Sequence, residues 1–515
     1  MNKLFRPTLW ILLVFILLTA GVVFAFSPAH AGKSPGLDAS LFMYIGAGIN
    51  RGQVPYRDLW ENKPPLVFFL DALGLWLAGG STWGVWFFDL AAWMLSVVLL
   101  FLLLRKEVGR AGLFFALASF VLNLPVIFGA GNMTEEFALP CQLAGLYFFT
   151  RLEREGRHPW PAFWLGVTFA LSFLLKQTTI GVWIALAGYM FLSRILVHKP
   201  IKAYVILWAS AGAALVAGAV LAYFAAHQAL YYLWDVAFRF NYYYTRASIA
   251  SHIAAVYTLL SRWSLLSSLL PVGLLAWLAG LVYLRRVGWG KMPLLLLVSM
   301  LDLPIECFMI GVSVSTYTHY LVSMLPAVAI LNGYLVHFLL QALKTRLRFP
   351  LAALVYPLLL FLAVFQGVKT VASLYATNLP KQVSSALEYI DKHSSQTDYV
   401  LVWGFHANIN FLSGRLAPTR FIHQIPLYTV GYATPQIFDE LLSDLQKKPP
   451  KLIIDSRTNS MPFVKMQAGR CILPGRDLPQ GMREIFDYVC KHYHFDAKFG
   501  SDGWLAYTLD TPPGQ

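Results

Sequence analysis

The chain has 515 residues, 57% of them hydrophobic and only 13% charged, whereas soluble domains run near a quarter charged. That composition excludes a soluble globular enzyme and implies a polytopic membrane protein. The net charge of +14 is not a nucleic-acid signature, because no basic patch is interleaved with stacking aromatics on a polar domain; Lys and Arg between apolar runs set topology or attract anionic lipid.

Lys3 and Arg6 precede an apolar run from Leu9 to Phe26, which is long enough to span. The following Ala29-His30-Ala31-Gly32 resembles a secretion-signal cleavage site, but a retained first span is expected, leaving the cytoplasm at its start. Asp38 to Gly52 is long enough for an interfacial helix, and Leu66 to Leu77 is apolar but too short to span. Trp83 to Leu104 returns to Arg105 and Lys106, Ala111 to Phe128 exits, and Phe137 to Thr150 returns to Arg151 and Arg154. Pro161 to Leu192 has cytoplasmic cations at both ends, so it reads as a hairpin of two short helices with Lys176-Gln177-Thr178-Thr179 at its outer tip. Ala203 to Phe224 exits into a Tyr-rich stretch, Gln228 to Arg262, which reads as an amphipathic lid. Leu265 to Leu284, Leu294 to Val312, Leu321 to Leu343 and Leu351 to Val371 complete about eleven crossings. The odd count places the C-terminus outside.

From about Leu379 the composition turns polar. Helices are expected at Ser384 to His393, Pro435 to Gln446 and Met482 to Tyr493, and strands at Tyr399 to Trp403, Lys451 to Asp455 and Trp504 to Leu509, which together make a small α/β domain. The expected organisation is an α-helical polytopic membrane domain over 1–378, with an outer loop at 28–82, and an extracytoplasmic α/β domain over 379–515. Cys141 and Cys307 lie in apolar spans, where packing is the ordinary role. Cys471 and Cys490 lie in the polar region, where a disulfide and two free thiols are equally open; an oxidising compartment would favour the disulfide.

Polar residues converge at the outer ends of the spans: Asp38, Lys63, Glu135, Glu136, Lys176 and His319. Asp38 reads either as a helix N-cap or as a general base at the membrane surface. Lys63 reads either as a snorkelling lysine or as a phosphate clamp stiffened by Pro64-Pro65. Glu135 and Glu136 open a span, where one carboxylate would offset the helix dipole with Thr134 as cap; the second asks for a cation or metal. Lys176 interrupts an apolar hairpin, which is costly unless it meets water or an anion. Asp302 and Glu306 lie one turn apart inside a span, with proton relay, metal contact and structural pairing all open. His319 is a phosphate or sugar contact or a member of the aromatic belt. No Walker loop, dinucleotide fingerprint in strand–helix context, His-Glu-x-x-His or Cys-x-x-Cys is present, which argues against cytoplasmic nucleotide-dependent chemistry.

The pattern resembles the GT-C glycosyltransferases, in particular the bacterial branch similar to protein O-mannosyltransferases and the lipid A aminoarabinose transferase. The likeness rests on Asp38 to Tyr44 with Gly52 to Asp58, on Lys63-Pro64-Pro65-Leu66, on Asn132 to Pro140, and more weakly on His319-Tyr320-Leu321 through Ala327. The resemblance implies a polyprenyl-phosphate sugar donor, a glycan, lipid or protein acceptor, and an inverting transfer at the outer face of a bacterial inner membrane. It assigns Asp38 as catalytic base and Lys63 as donor-phosphate contact. Lys176 and His319 join Lys63 on the phosphate, and Glu135 and Glu136 orient the acceptor or a divalent metal. Arg57, Asp58, Glu61 and Tyr320 are further candidate substrate or metal contacts. The family's acidic residue often stands immediately before the lysine; here Asn62 holds that place and Glu61 lies one further back. A lipid-linked glycan transporter or flippase, or a non-catalytic envelope-assembly protein, is the alternative. A transporter would need polar residues through the full bilayer depth, whereas most of these lie at the outer face.

Overall fold

The computed structural model describes residues 5–29, 35–128, 131–155, 158–267, 269–346, 361, 365, 381–467, 470–475, 478–499 and 503–510. The described chain opens with α1 (Phe5–Phe24), followed by two shorter helices, α2 (Leu37–Asn50) and α3 (Leu66–Leu77). The membrane layer follows: α4 (Trp83–Leu104), α5 (Arg110–Val121), the short α6 (Leu124–Ile127), α7 (Thr134–Glu155), α8 (Trp160–Leu175), α9 (Gly181–Leu196) and α10 (Ala203–Ala226). Helices α8 and α9 form the expected hairpin, with Lys176 at its tip. Gly166 on α8 and Gly212 on α10 let these two helices touch, since a Cβ at either would run into the partner's backbone at Ala209 or Phe163.

The Tyr-rich stretch forms α11 (Leu230–Trp234), a π-helical turn at Asp235–Arg239, α12 (Phe240–Tyr244) and α13 (Ile249–Leu266). Then come α14 (Leu269–Val287), α15 (Leu294–Gly311), a 3-10 turn at Thr318–Met324 and α16 (Leu325–Arg346). Six helical segments among the described residues are long and apolar enough to cross a membrane, and four further apolar helices are shorter. The expected count of about eleven is not reached from these residues; Leu351 to Val371, the expected last crossing, lies outside the described residues except for 361 and 365. The expected domain boundary near 378 also lies outside them.

The C-terminal region carries β1 (Val400–Trp403), β2 (Leu452–Asp455), β5 (Tyr493–Phe499) and β6 (Trp504–Leu509) in one sheet of order β1-β2-β6-β5. β1 and β2 run parallel, and β6 is antiparallel to both β2 and β5. Side chains alternate between faces. Val400, Val402, Leu452 and Ile454 pack towards α17 (Lys381–His393). Leu401, Trp403 and Ile453 join the core built with α20 (Pro435–Lys447) and α21 (Met482–His492). That second core also includes Phe42, Tyr56, Trp60 and Phe68 of the outer loop and helices. Two short helices, α18 (Asn408–Ser413) and α19 (Ile425–Tyr428), and a hairpin of β3 (Lys465–Gln467) with β4 (Arg470–Ile472) complete the region. Sequence reading missed α18, α19, β3, β4 and β5, all short or half-exposed.

Cys471 on β4 and Cys490 on α21 form a disulfide, which resolves the open choice at these two positions. Cys141 and Cys307 are free. Denatured, unreduced protein is therefore expected to take up two maleimide–polyethylene glycol labels, and four after reduction, as read by gel shift; four labels without reduction would show the 471–490 bond absent.

Candidate active site

Loop 51–65 presents the central residues. Its turn is closed by Tyr56 N donating to Leu59 O at 2.7 Å and Val54 N donating to the Asp58 carboxylate at 2.8 Å. Tyr56 is fully buried at φ +70°, an uncommon conformation for a non-glycine residue. Its hydroxyl donates to Lys63 O at 2.8 Å, fixing the backbone from which Lys63 projects just before Pro64-Pro65. Contacts from outside help hold the loop. Asn62 and Asn241 of α12 exchange reciprocal bonds at 2.8 and 2.9 Å, and Trp60 N donates to Arg420 O at 2.8 Å while Arg420 donates back to Tyr56 O at 3.0 Å.

This loop, the start of α2 and the C-terminal region enclose a cavity of about 380 Å³. Asp38, Glu61 and Lys63 line one side; Tyr244 comes from α12, Tyr317 and Tyr320 from the segment that leads into and through the 3-10 turn, and Phe405, His423, Thr458 and Ser460 form the roof. Asp38 sits in the first turn of α2, but Gly36 occupies the N-cap position and no side chain caps the helix, so the N-cap reading of Asp38 does not hold. Among the described residues no hydrogen-bonding partner takes its half-buried carboxylate.

Glu61 Oε1 stands 3.8 Å from Lys63 Nζ, and Oε2 lies 3.1 Å from His423 Nε2. Burial pushes the Glu61 carboxyl up, but the hydrogen bond from His423 and the Lys63 charge outweigh it and hold the group below its ordinary value. Burial likewise opposes the charge on Lys63, and the Glu61 and Asp38 carboxylates overcome it, raising its pKa. Because Glu61 is depressed, its contribution is present above its ordinary value of 4.5 and is lost as pH falls through the folded value. Because Lys63 is raised, its contribution is present below 10.5 and is lost as pH rises through the folded value. The pair therefore stays charged across the whole physiological range.

A second cluster lies behind Tyr320. Lys176 pairs directly with Glu135, with its Nζ 3.5 Å from the centre of the Tyr320 ring. Thr134 donates to the other Glu135 oxygen at 2.8 Å instead of capping α7, and His319 Nε2 lies 3.9 Å from Glu135. Tyr320 borders both this cluster and the large cavity. Lys176 is thus committed to a carboxylate, and the expectation that it shares one open phosphate site with Lys63 is not what the geometry favours. Glu136 does not reach either place: it is fully buried facing Asp89, near Asp71 and Asn132. Arg57 and Asp58 pair with each other at 2.8 Å, and Arg57 also donates to His227 O at 3.0 Å; they brace the loop and do not line the cavity. Asp302 and Glu306 are buried, with Glu306 accepting from Gln142 at 3.2 Å, and Gln142 also donating to Thr179 O at 3.1 Å. This contact holds the 176–181 tip.

Residues 62–223 match the family model described as dolichyl-phosphate-mannose-protein mannosyltransferase. That stretch includes Lys63, Glu135, Glu136 and Lys176 and begins after Asp38 and Glu61. The whole chain is similar in fold to the crystal structure of ArnT from Cupriavidus metallidurans in the apo state, with TM-score 0.63 and 12% identity over 98% of each chain. The ArnT structure bound to undecaprenyl phosphate gives TM-score 0.62 and 11% identity over 96% of this chain and 97% of that one. The chain shares the fold of these ArnT structures. None of the curated protein sequences matches it.

The candidate site also contains a residue from the C-terminal region that sequence reading did not find. His423 roofs the cavity over Glu61, 362 positions away, and no local spacing links the two. Glu61 and His423 put a carboxylate and an imidazole on the cavity wall, but they bond to each other at 3.1 Å. Among the described residues no group of three His, Cys, Asp or Glu forms a metal-binding set, so the residues present do not fit a metal centre.

The Glu135–Lys176 pair makes a measurable claim. Removing one partner of a buried ion pair costs ~3–5 kcal/mol. Lys176→Met and Glu135→Gln are each expected to lower the thermal unfolding temperature of the detergent-solubilised protein, and the double variant to recover most of that loss. Additive losses would show that the two do not act as a pair.

Proposed function

We propose that the protein is an inverting glycosyltransferase that moves a sugar from a polyprenyl-phosphate donor to an acceptor hydroxyl at the outer face of a bacterial inner membrane. One observation carries this reading: a single cavity sets the unpaired carboxylate of Asp38 among the same walls as the Lys63 ammonium. Asp38 takes the proton of the acceptor hydroxyl. The hydroxyl oxygen bonds to the anomeric carbon from the face opposite the phosphate, the carbon–oxygen bond to polyprenyl phosphate breaks, and the phosphate leaves with the bonding electrons. Lys63 meets the charge that grows on the leaving oxygen, and Glu61 holds Lys63 in its charged form. Tyr244, Tyr317 and Tyr320 wall the cavity and reduce its exposure to water. Glu135 and Lys176 fix Tyr320 from behind, so their part is positioning.

Three facts support the setting. The family model is that of a lipid-linked-mannose transferase, a structure of the similarly folded ArnT binds undecaprenyl phosphate, and the Cys471–Cys490 disulfide suits an oxidising compartment.

Purified protein given a synthetic polyprenyl-phosphate sugar should release polyprenyl phosphate. Asp38→Asn should lower that rate by ~10²–10⁴-fold, the usual contribution of a general base, with undecaprenyl phosphate binding unchanged. A rate above about a tenth of wild type would remove Asp38 from the role of base. Lys63→Met should instead weaken donor use by ~1.5–3 kcal/mol, the scale of a hydrogen bond to a charged group, read as a rise in KM for the donor; an unchanged KM would mean the phosphate sits elsewhere.

A further inference from the structure

A second cavity of about 330 Å³ lies in the C-terminal region, on the other side of Thr458 and Met461, which wall both it and the Asp38–Lys63 cavity. Its rim carries Arg457 and Lys465, both exposed and, among the described residues, in no ion pair. Phe463, Ile472 and Pro474 supply apolar wall. Asp455 lies buried at the base, where it accepts from Arg457 N at 2.9 Å, so the two cations outnumber the one carboxylate.

The dividing segment is built, not loose. Trp403 Nε1 donates to Met461 O at 3.1 Å, Tyr428 OH to Pro462 O at 2.7 Å and Tyr507 OH to Val464 O at 2.7 Å. Ser456 and Thr458 hydroxyls bond at 3.0 Å. Arg457 is held at φ +56°, a conformation that non-glycine residues adopt infrequently and that clusters at ligand-binding sites. The opposite wall, 470–475, is tethered to α21 by the Cys471–Cys490 disulfide.

We propose that this groove is the acceptor subsite and that it takes a saccharide bearing an anionic group, phosphate or carboxylate, bound by Arg457 and Lys465. The proposal rests on the glycosyltransferase reading: the two cavities adjoin at Thr458 and Met461, so an acceptor anchored in the groove would reach past this segment to bring its hydroxyl to Asp38. A planar guanidinium beside an ammonium suits an oxyanion, and the apolar wall suits the carbon face of a sugar ring.

The test uses the full-length protein in detergent, saturated with undecaprenyl phosphate, and titrates glucose 1-phosphate, glucuronate and glucose by ligand-observed NMR. At least one of the two anions should bind, with glucose at least tenfold weaker; which anion binds decides between phosphate and carboxylate. Arg457→Gln with Lys465→Gln should weaken that binding at least tenfold and leave undecaprenyl phosphate binding unchanged, which also shows the variant folded. Arg457→Lys should retain most of it, and Lys63→Met should leave it intact. Binding of neither anion, equal binding of glucose, displacement by undecaprenyl phosphate, or indifference to the double substitution would each overturn the proposal. Undecaprenyl phosphate binding by the wild-type protein is scored separately: its absence defeats the donor reading, while its presence with no anion binding defeats only the groove.

Discussion

A lysine removed from water has to be given a carboxylate or a ligand, and the two lysines of this site meet that demand differently. Lys176 is closed onto Glu135, covered by the Tyr320 ring and backed by His319. Lys63 has Glu61 only at 3.8 Å, and Glu61 gives its other oxygen to His423. In the first arrangement the ammonium is closed by a direct ion pair. The second leaves ammonium donors pointing into a cavity large enough for a phosphate and a sugar, and keeps the lysine charged while they wait. In the proposed reading Lys63 is the lysine left for substrate, because it is not closed onto a carboxylate as Lys176 is.

The C-terminal region is part of the site rather than an appendage. Among the described residues its polar contacts with the rest of the chain include Arg420 on Tyr56 and Trp60, Ala417 N donating to the Tyr44 hydroxyl at 2.9 Å, His423 on Glu61, and Tyr432 donating to Asp235 at 2.7 Å. The apolar core runs without a break from Phe42 and Phe68 to Trp403 and Tyr507. Such continuity couples the roof to the floor: displacing the region would expose apolar surface and open the cavity to water together. It also explains why the loop tolerates a buried tyrosine at positive φ, since surrounding contacts fix it from both sides.

Much of this was legible in the sequence. Apolar length and Lys/Arg placement located α2, α3, α4, the α8–α9 hairpin, α10, α14 and α15, because hydropathy and charge are local quantities. Asp38, Lys63, Glu135, Glu136, Lys176 and His319 could be expected near one another because the charge pattern places them all at the same ends of the spans; Lys176 and His319 do meet Glu135, while Glu136 turns away. What was not legible depends on direction and on distant pairing. Adjacent helical residues point about 100° apart, so Glu135 and Glu136 could not both face one cavity, and only packing decided that Glu136 turns to Asp89. The Arg57–Asp58 pair looked like site chemistry because charge type does not reveal that a partner is already next door. His423 carries no spacing signal at all; only the docking of a sheet domain on loop 51–65 brings it to Glu61.

The central claim is that a polyprenyl-linked phosphate is held at Lys63, beneath His423 and across from Asp38. A cryo-electron microscopy structure of the protein with undecaprenyl phosphate tests it most directly. The expected result is phosphate density within hydrogen-bonding distance of Lys63 Nζ, with the Glu135–Lys176 pair intact behind Tyr320. Phosphate density at Lys176 with that pair broken, or seated away from the Asp38–Lys63 cavity altogether, would contradict it.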